Sequence, residues 1–241
     1  MKIAPWNVER LKHYTDMDKM MSEIEKVYAD ILALTETDER LKPDYPYCYR
    51  TPLLKEIRPD YYKDTENRVS IYSKYRCVNE YPTYDKYTAI CVELETDYGN
   101  LCVYGTIMGI FGNREKSFKP DLEKQMEDIK RLHNEGHRVC IIGDYNLSFS
   151  DNYYYTSFGR EMVTKCFEDS HISILTSHRA ECVDHIAISD SYMSDAVLVV
   201  AAIDEWNYDK ALSDHKGIVV DILPVNCTPK SGQLKVEQTQ F

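Results

Sequence analysis

Several short apolar stretches of this chain abut an acidic or amide side chain, and those side chains have the types and spacing to do chemistry. Trp6-Asn7 closes the first stretch and Thr35-Glu36 the second, while 139–142 runs into Gly143-Asp144-Tyr145-Asn146. Cys182-Val183 precedes Asp184-His185, and Leu212-Ser213 precedes Asp214-His215. Polar groups at strand ends gather on one rim of a sheet, where loops leave space for a ligand. Oxygen ligands of this kind suit a hard cation such as Mg²⁺, which keeps several waters and takes few carboxylates. Singly, each has an ordinary meaning: Asp-His is a common turn pair, Gly-Asp a common strand end, Asn7 a loop residue, Glu36 a solvated charge. Their recurrence in this order, each beside a strand-like run, argues for one shared site.

The elements that must position them are readable from periodicity. Met17, Met20, Met21, Ile24, Val27, Tyr28 and Ile31 fall at helical spacing, predicting a helix capped by Thr15 or Asp16 and ending near Ala29. A second helix is marked by Phe118, Leu122, Met126, Ile129 and Leu132, with Pro120 in its first turn and Gly136 as its stop. Short runs rich in β-branched and aromatic residues predict strands over 1–8, 31–34, 68–73, 88–94, 101–107, 138–142, 183–189, 196–203 and 217–223. Asp97-Tyr98-Gly99-Asn100 reads as a hairpin turn. Many strands with few helices between them imply an α+β fold of two packed sheets with helices outside. No linker divides the chain, so a single domain is expected over 1–223, followed by a polar tail over 224–241.

Composition narrows the function classes. With a net charge of −11 and no basic stripe, the chain is not built as a tight, non-specific duplex binder. Either its substrate is small, or positive charge gathers locally around the site with help from a bound cation. No apolar run approaches the roughly 20 residues that a bilayer span needs. The start of the chain reads as a strand rather than a secretory leader. The 8 cysteines are scattered and form no C-x-x-C pair, so buried free thiols in a reducing compartment, the cytoplasm, are expected.

Taken together, Trp6-Asn7-Val8, the stretch 29–36 ending in Thr35-Glu36, Gly143-Asp144-Tyr145-Asn146, Val183-Asp184-His185-Ile186 and Ser213-Asp214-His215 resemble the endonuclease/exonuclease/phosphatase superfamily. That superfamily includes deoxyribonuclease I, apurinic/apyrimidinic endonucleases, sphingomyelinases and inositol polyphosphate 5-phosphatases. The resemblance spans nearly the whole domain and implies a four-layer α/β/β/α sandwich of two packed mixed sheets, deoxyribonuclease I-like. It implies that Glu36 coordinates a catalytic Mg²⁺ (or Mn²⁺), with Asn7 and Asp214 in or near its shell. Asp144 would orient or deprotonate the attacking water, and Asn146 would hold the phosphoryl group. His215 would donate to a phosphate oxygen or act as base, with Asp184 fixing its tautomer.

The chain also departs from that pattern. Thr35 stands where the family usually has Gln. Gly105-Thr106-Ile107-Met108 lacks the His or Tyr that many members place there to touch the phosphate or leaving group. Thr106, or Asn113 and Arg114 in the following loop, are the substitutes the sequence offers, Arg114 as a phosphate clamp. Tyr153, Tyr154, Tyr155 and Phe158 form either an aromatic shelf or loop packing. Arg68 could face substrate from its strand, with a solvated arginine as the plainer reading. His185 should point to the opposite strand face from Asp184.

The function expected is Mg²⁺-dependent hydrolysis of phosphoester bonds, with a nucleic-acid phosphodiester as first substrate. A phosphatase acting on small or lipid-like phosphates is the alternative, and a non-catalytic binding module of the same fold is a third reading. Specificity should reside in the loops 37–64, 111–118 and 148–158.

Overall fold

The structure, a computed structural model, describes residues 1–225. Of the expected tail, 226–241 and with it Cys227 lie outside the described residues. In chain order the first half comprises β1 (Lys2–Asn7), α1 (Met17–Val27), β2 (Ile31–Asp38), β3 (Tyr47–Arg50), β4 (Glu66–Ser73), β5 (Cys77–Tyr81), β6 (Ala89–Thr96) and β7 (Gly99–Ile107). The second half comprises α2 (Phe118–Asn134), β8 (Val139–Asp144), α3 (Ser157–Asp169), β9 (Ile172–Ile174), β10 (Asp184–Ser189), α4 (Asp190–Asp195), β11 (Leu198–Trp206) and β12 (Gly217–Pro224). Pro224, expected in the tail, closes β12 instead, and the Val225 N–H donates to the Val197 carbonyl at 3.0 Å.

Strands build two six-stranded sheets, ordered β11-β12-β1-β2-β4-β3 and β5-β6-β7-β8-β10-β9. Side chains alternate across a strand, so each sheet needs two apolar faces when both sides are covered. In the first sheet Ile3, Ile31 and Ala33 face one way, while Ala4, Trp6, Leu32 and Leu34 face the other. In the second, Val103, Cys140, Ile142 and Ile186 oppose Tyr104, Val139, Ile141 and Ala187. Ile3, Ile31, Val103 and Ile142 meet between the sheets. Leu32 and Leu34 pack under Met20 and Ile24 of α1, and Ile141 packs under Leu122 and Ile129 of α2 and Phe167 of α3. These three apolar interfaces define the four layers that the resemblance implied.

Differences from the predicted elements are local. α1 ends at Val27 rather than Ala29, because Tyr28 adopts φ 49° and its N–H caps the Ile24 carbonyl. The strand predicted over 196–203 runs from Leu198 to Trp206 through a bulge between Val200 and Ala202. α3, which the sequence reading left inside a loop, starts where Thr156 Oγ1 accepts the Gly159 N–H at 3.1 Å. β3, β5 and β9 were not expected, and each lies at a sheet edge where little alternation is needed.

The topology brings particular strand ends together. β1 pairs parallel with β2 and antiparallel with β12, so Asn7, Glu36 and the residues entering β12 share one rim. In the other sheet β8 and β10 are antiparallel with Asp184 directly opposite Asp144, which puts both on one rim. Stacking the sheets sets these rims side by side.

Candidate active site

Asn7 joins the two sheets at that rim. Its Nδ2 donates to Asp144 Oδ2 at 3.2 Å and to Glu36 Oε1 at 3.4 Å, while its Oδ1 accepts the Glu9 N–H at 2.8 Å. Asn7 thus presents its amide hydrogens, rather than its oxygen, to the two carboxylates. Glu36 and Asn146 hold φ of 46° and 52°, a left-handed backbone that non-glycine residues adopt uncommonly. Gly143 has φ 135°, and a Cβ there would lie 2.1 Å from the Thr106 carbonyl oxygen. Only glycine lets β8 run this close beside β7 and still turn Asp144 into the rim, which is the physical basis of the Gly-Asp pair.

Asp144 is buried, and burial together with the negative charges of Asp184 and Glu36 pushes its carboxyl up to about 7, against the pull of His215 and the Asn146 N–H. His215 Nδ1 donates to Asp184 Oδ2 at 2.6 Å. Burial opposes the charged imidazole, but Asp184, Asp144 and Asp214 outweigh it and hold His215 up to about 10. The Asp184 contact places the proton-donating face of the ring at Nδ1 and leaves Nε2 toward Asp214 Oδ1 at 3.7 Å.

The loop carrying His215 is latched by Ser213 and Trp6 of the quoted motifs and by Asn207, which no motif contains. Ser213 Oγ donates to the Asn7 carbonyl at 2.6 Å and accepts the His215 N–H at 3.2 Å. Asn207 Nδ2 donates to the carbonyls of Ser213 and His215 at 2.9 and 2.7 Å, and its Oδ1 accepts the Leu212 N–H at 3.1 Å. Trp6 Nε1 adds a bond to the His215 carbonyl at 3.3 Å. No local motif marks Asn207; its φ of 54° is a tertiary outcome.

A cleft of about 660 Å³ opens over Glu36, Asp144, Asn146, Asp184, Asp214 and His215. The remaining predicted residues sit as follows. Asn146 Nδ2 is committed to the carbonyls of Met108 and Gly109 at 2.9 and 3.2 Å, so it braces that turn. Asn113 is buried behind it, with its Nδ2 donating to the Asn146 carbonyl at 3.0 Å. Arg114 is exposed, 5.9 Å over the Tyr154 ring, and does not line the cleft. Thr106, Ile107 and Met108 are all buried, with Thr106 Oγ1 accepting from Gln125 Nε2 at 3.1 Å, so none of them faces the cleft. The wall there is Ile110, Phe111 and Gly112, faced by Tyr153 and Tyr154, and Lys210 Nζ donates to Tyr153 Oη at 2.7 Å. Tyr155 and Phe158 pack on the core instead. His185 points away from Asp184 into the interior, as the strand alternation requires.

The donor set suits a hard cation. Among the described residues neither Glu36 nor Asp144 makes an ion pair with a lysine or arginine; Glu36 carries the long Asn7 contact, and Asp144 carries Asn7 on Oδ2 and the Asn146 N–H on Oδ1 at 2.8 Å. Glu36 and Asp214 would hold Mg²⁺ there, with Asn7 orienting Glu36. Among the described residues the one group of ligand atoms within 4.8 Å of each other is Glu93, Cys102 and His137, none of which lines this cleft. The cleft's own set is therefore open, a form appropriate to a cation that keeps waters.

The fold is the one shared by solved structures described as endonucleases, exonucleases and phosphatases. Among solved structures the chain is similar to NExo from Neisseria, described as a 3′ phosphatase bound to product DNA hairpin and as a 3′-5′ exonuclease. The similarity has a TM-score of 0.64 at 17% identity over 92% of this chain and 99% of that one. It is also similar to the human Nocturnin catalytic domain with bound sulfate, with a TM-score of 0.65 at 16% identity over 92% and 94% of the two chains. The endonuclease domain of TRAS1, a telomere-specific non-LTR retrotransposon, matches with a TM-score of 0.63 at 16% identity over 92% and 97%. At such identities the likeness is one of fold. No protein-family profile and no curated protein matches the sequence.

Proposed function

We propose that the chain is a divalent-metal-dependent phosphoesterase, using Mg²⁺ with Mn²⁺ as substitute, that hydrolyses a phosphodiester of nucleic-acid type. The observation that carries this reading is the gathering of Asn7, Glu36, Asp144, Asp184 and His215 on one rim from two different sheets. A bound divalent cation supplies charge neutralisation at the phosphoryl oxygens and polarises the bond to phosphorus. Asp144 has the basicity to take a proton from an attacking water, since a base with a pKa near the working pH transfers protons most effectively. His215, kept charged by Asp184, acts as a proton-bearing donor to a phosphoryl or leaving oxygen rather than as the base. Asn146 and Asn113 fix the turn at 108–109 that forms the cleft wall. Tyr153, Tyr154 and the exposed ring of Phe111 offer surfaces on which bases stack.

No helix among the described residues is long and apolar enough to cross a membrane, and the seven described cysteines are free thiols, which supports the cytoplasmic reading. The test is turnover of bis(p-nitrophenyl) phosphate and of single- and double-stranded DNA with Mg²⁺, then with EDTA. Hydrolysis that ceases in EDTA and in Asp144→Ala and His215→Ala proteins supports the proposal. Metal-independent turnover, or full activity in either variant, refutes it.

A further inference from the structure

Beyond Glu36 the cleft continues into a second hollow of about 280 Å³ that shares Glu36, Ile110 and Phe111 with the first. Its far wall holds Arg68, for which the sequence offered a substrate-facing and a solvated reading. Arg68 is 8% exposed, and its backbone N–H is fixed to Thr51 Oγ1 at 3.1 Å. Its Nη2 donates to Tyr62 Oη at 3.2 Å, and its Nε is buried without a partner. It makes no ion pair among the described residues. The neighbouring cations do: Arg10 Nη2 lies 2.9 Å from Glu66 Oε2, and Lys12 pairs with Glu9. The Arg68 guanidinium carbon lies 5.7 Å over the Tyr62 ring, and the Asp121 carboxyl feels its charge from outside ion-pair distance. A desolvated guanidinium without a close counterion or a full set of hydrogen-bond partners is unfavourable unless a ligand completes it. The hollow is lined by Arg10, Lys12 and Arg68 with one carboxylate, Glu36, and since Glu66 and Glu9 already engage Arg10 and Lys12, Arg68 is the lining cation left for a ligand.

We propose that this hollow is a second phosphate subsite, in which Arg68 receives a phosphoryl group of the substrate adjacent to the one being hydrolysed. The proposal rests on the phosphoesterase reading and specifies its substrate class: a nucleotide phosphoester carrying a second phosphate. A guanidinium fork matches two phosphate oxygens, and with Nε buried it is the Nη end of the Arg68 group that the hollow can offer them. Tyr61, 51% exposed and edge-on to Tyr62 at 4.7 Å, stands beside Arg68's partner as a surface for the attached base. The shared walls Glu36, Ile110 and Phe111 make the path between the two subsites continuous.

The test has one arm independent of turnover. The arginine Nε–H resonance of Arg68, assigned by its loss in Arg68→Lys, is followed by NMR during titration of the full-length protein with inorganic phosphate in EDTA. A saturable shift, retained in His215→Ala, is expected. The second arm compares kcat/KM of the wild-type protein with Mg²⁺ for matched pairs: dTpdT against pdTpdT, and thymidine 5′-monophosphate against thymidine 3′,5′-bisphosphate. A preference of tenfold or more for the doubly phosphorylated member, reduced in Arg68→Met, is expected in at least one pair. Preference in the first pair assigns the second phosphate to a strand; preference confined to the second pair assigns it to a mononucleotide. An Arg68 resonance that phosphate does not move, or no preference in either pair, overturns the subsite. Absence of any hydrolysis with a phosphate-responsive Arg68 overturns the phosphoesterase reading and keeps the anion site.

Discussion

Replacing His185 with glutamine should change how the protein's stability depends on acid, by an amount the structure fixes. His185 is fully buried; its Nε2 faces the carbonyls of Leu147 and Cys182 at 2.9 and 3.1 Å, and its Nδ1 lies 2.8 Å from Thr176 Oγ1. Two carbonyl acceptors place the proton on Nε2, so Nδ1 accepts from the threonine hydroxyl and the neutral ring is satisfied. Burial drives the imidazole down to about 4, from 6.5. Between those values the unfolded chain binds a proton that the folded chain refuses, so stability falls as pH falls. At about 1.36 kcal/mol per pKa unit, the loss is roughly 1.4 kcal/mol at pH 5.5 and roughly 2.6 kcal/mol at pH 4.5. Asp144 acts in the opposite sense: raised to about 7, it binds a proton in the folded state first and adds stability on acidification. His215, held up to about 10, contributes a stabilisation already complete below pH 6.5. The wild-type curve alone is therefore a poor readout, and the difference between wild type and His185→Gln isolates the effect. Urea denaturation at pH 7.5, 6.5, 5.5 and 4.5 measures it. The variant should be less stable by about 1–2 kcal/mol at pH 7.5, through lost hydrogen bonds, and should equal or exceed wild type by pH 4.5. A difference that stays constant across the range refutes the assignment of a neutral buried His185.

Gly143→Ala should lower stability by about 3 kcal/mol or more, a Tm fall of roughly 6–12 °C, because the new Cβ meets the Thr106 carbonyl on a backbone that disfavours it. A thermal melt unchanged within 2–3 °C, on the order of 1 kcal/mol, would refute that. Asp184→Asn should leave the fold intact but lower phosphodiester turnover by roughly 10²–10⁴-fold, since His215 loses the carboxylate that holds it charged and oriented; undiminished turnover with Mg²⁺ would remove the dyad from the mechanism. Asn207→Ala deletes all the side-chain bonds that bridge Leu212, Ser213 and His215. It should cost about 1–3 kcal/mol in urea denaturation and depress kcat more than it raises KM, as His215 drifts; a change in KM alone would argue against a positioning role.

How much of this was legible beforehand differs by element. The inner strands announced themselves because both faces are buried and every residue must be apolar, as in 139–142 and 101–107. The edges β3 and β5 bury little, so their sequences carry no such signal. α3 hid behind the tyrosine-rich run before it, since its buried stripe is only Val163, Cys166 and Phe167 beyond a glycine. Arg68 stayed open between substrate-facing and solvated for a related reason: the burial of a charged side chain near a strand start is set by the opposite wall, which the strand's own sequence does not give.

By itself the sequence determined the chemical inventory and the strands it flanks: Asn7 closing β1, Glu36 near the end of β2, Asp144 closing β8, Asp184 opening β10 and His215 just before β12. Strand period and motif order are local properties, and local properties are written residue by residue. Tertiary structure alone decided the pairings. Asn7 meeting Asp144 across two sheets, Ser213 tying the His215 loop to the Asn7 carbonyl, and Arg68 buried in a hollow shared with Glu36 all depend on contacts between segments distant in the chain. Those contacts are set by how the layers pack, and no spacing within a single segment encodes them.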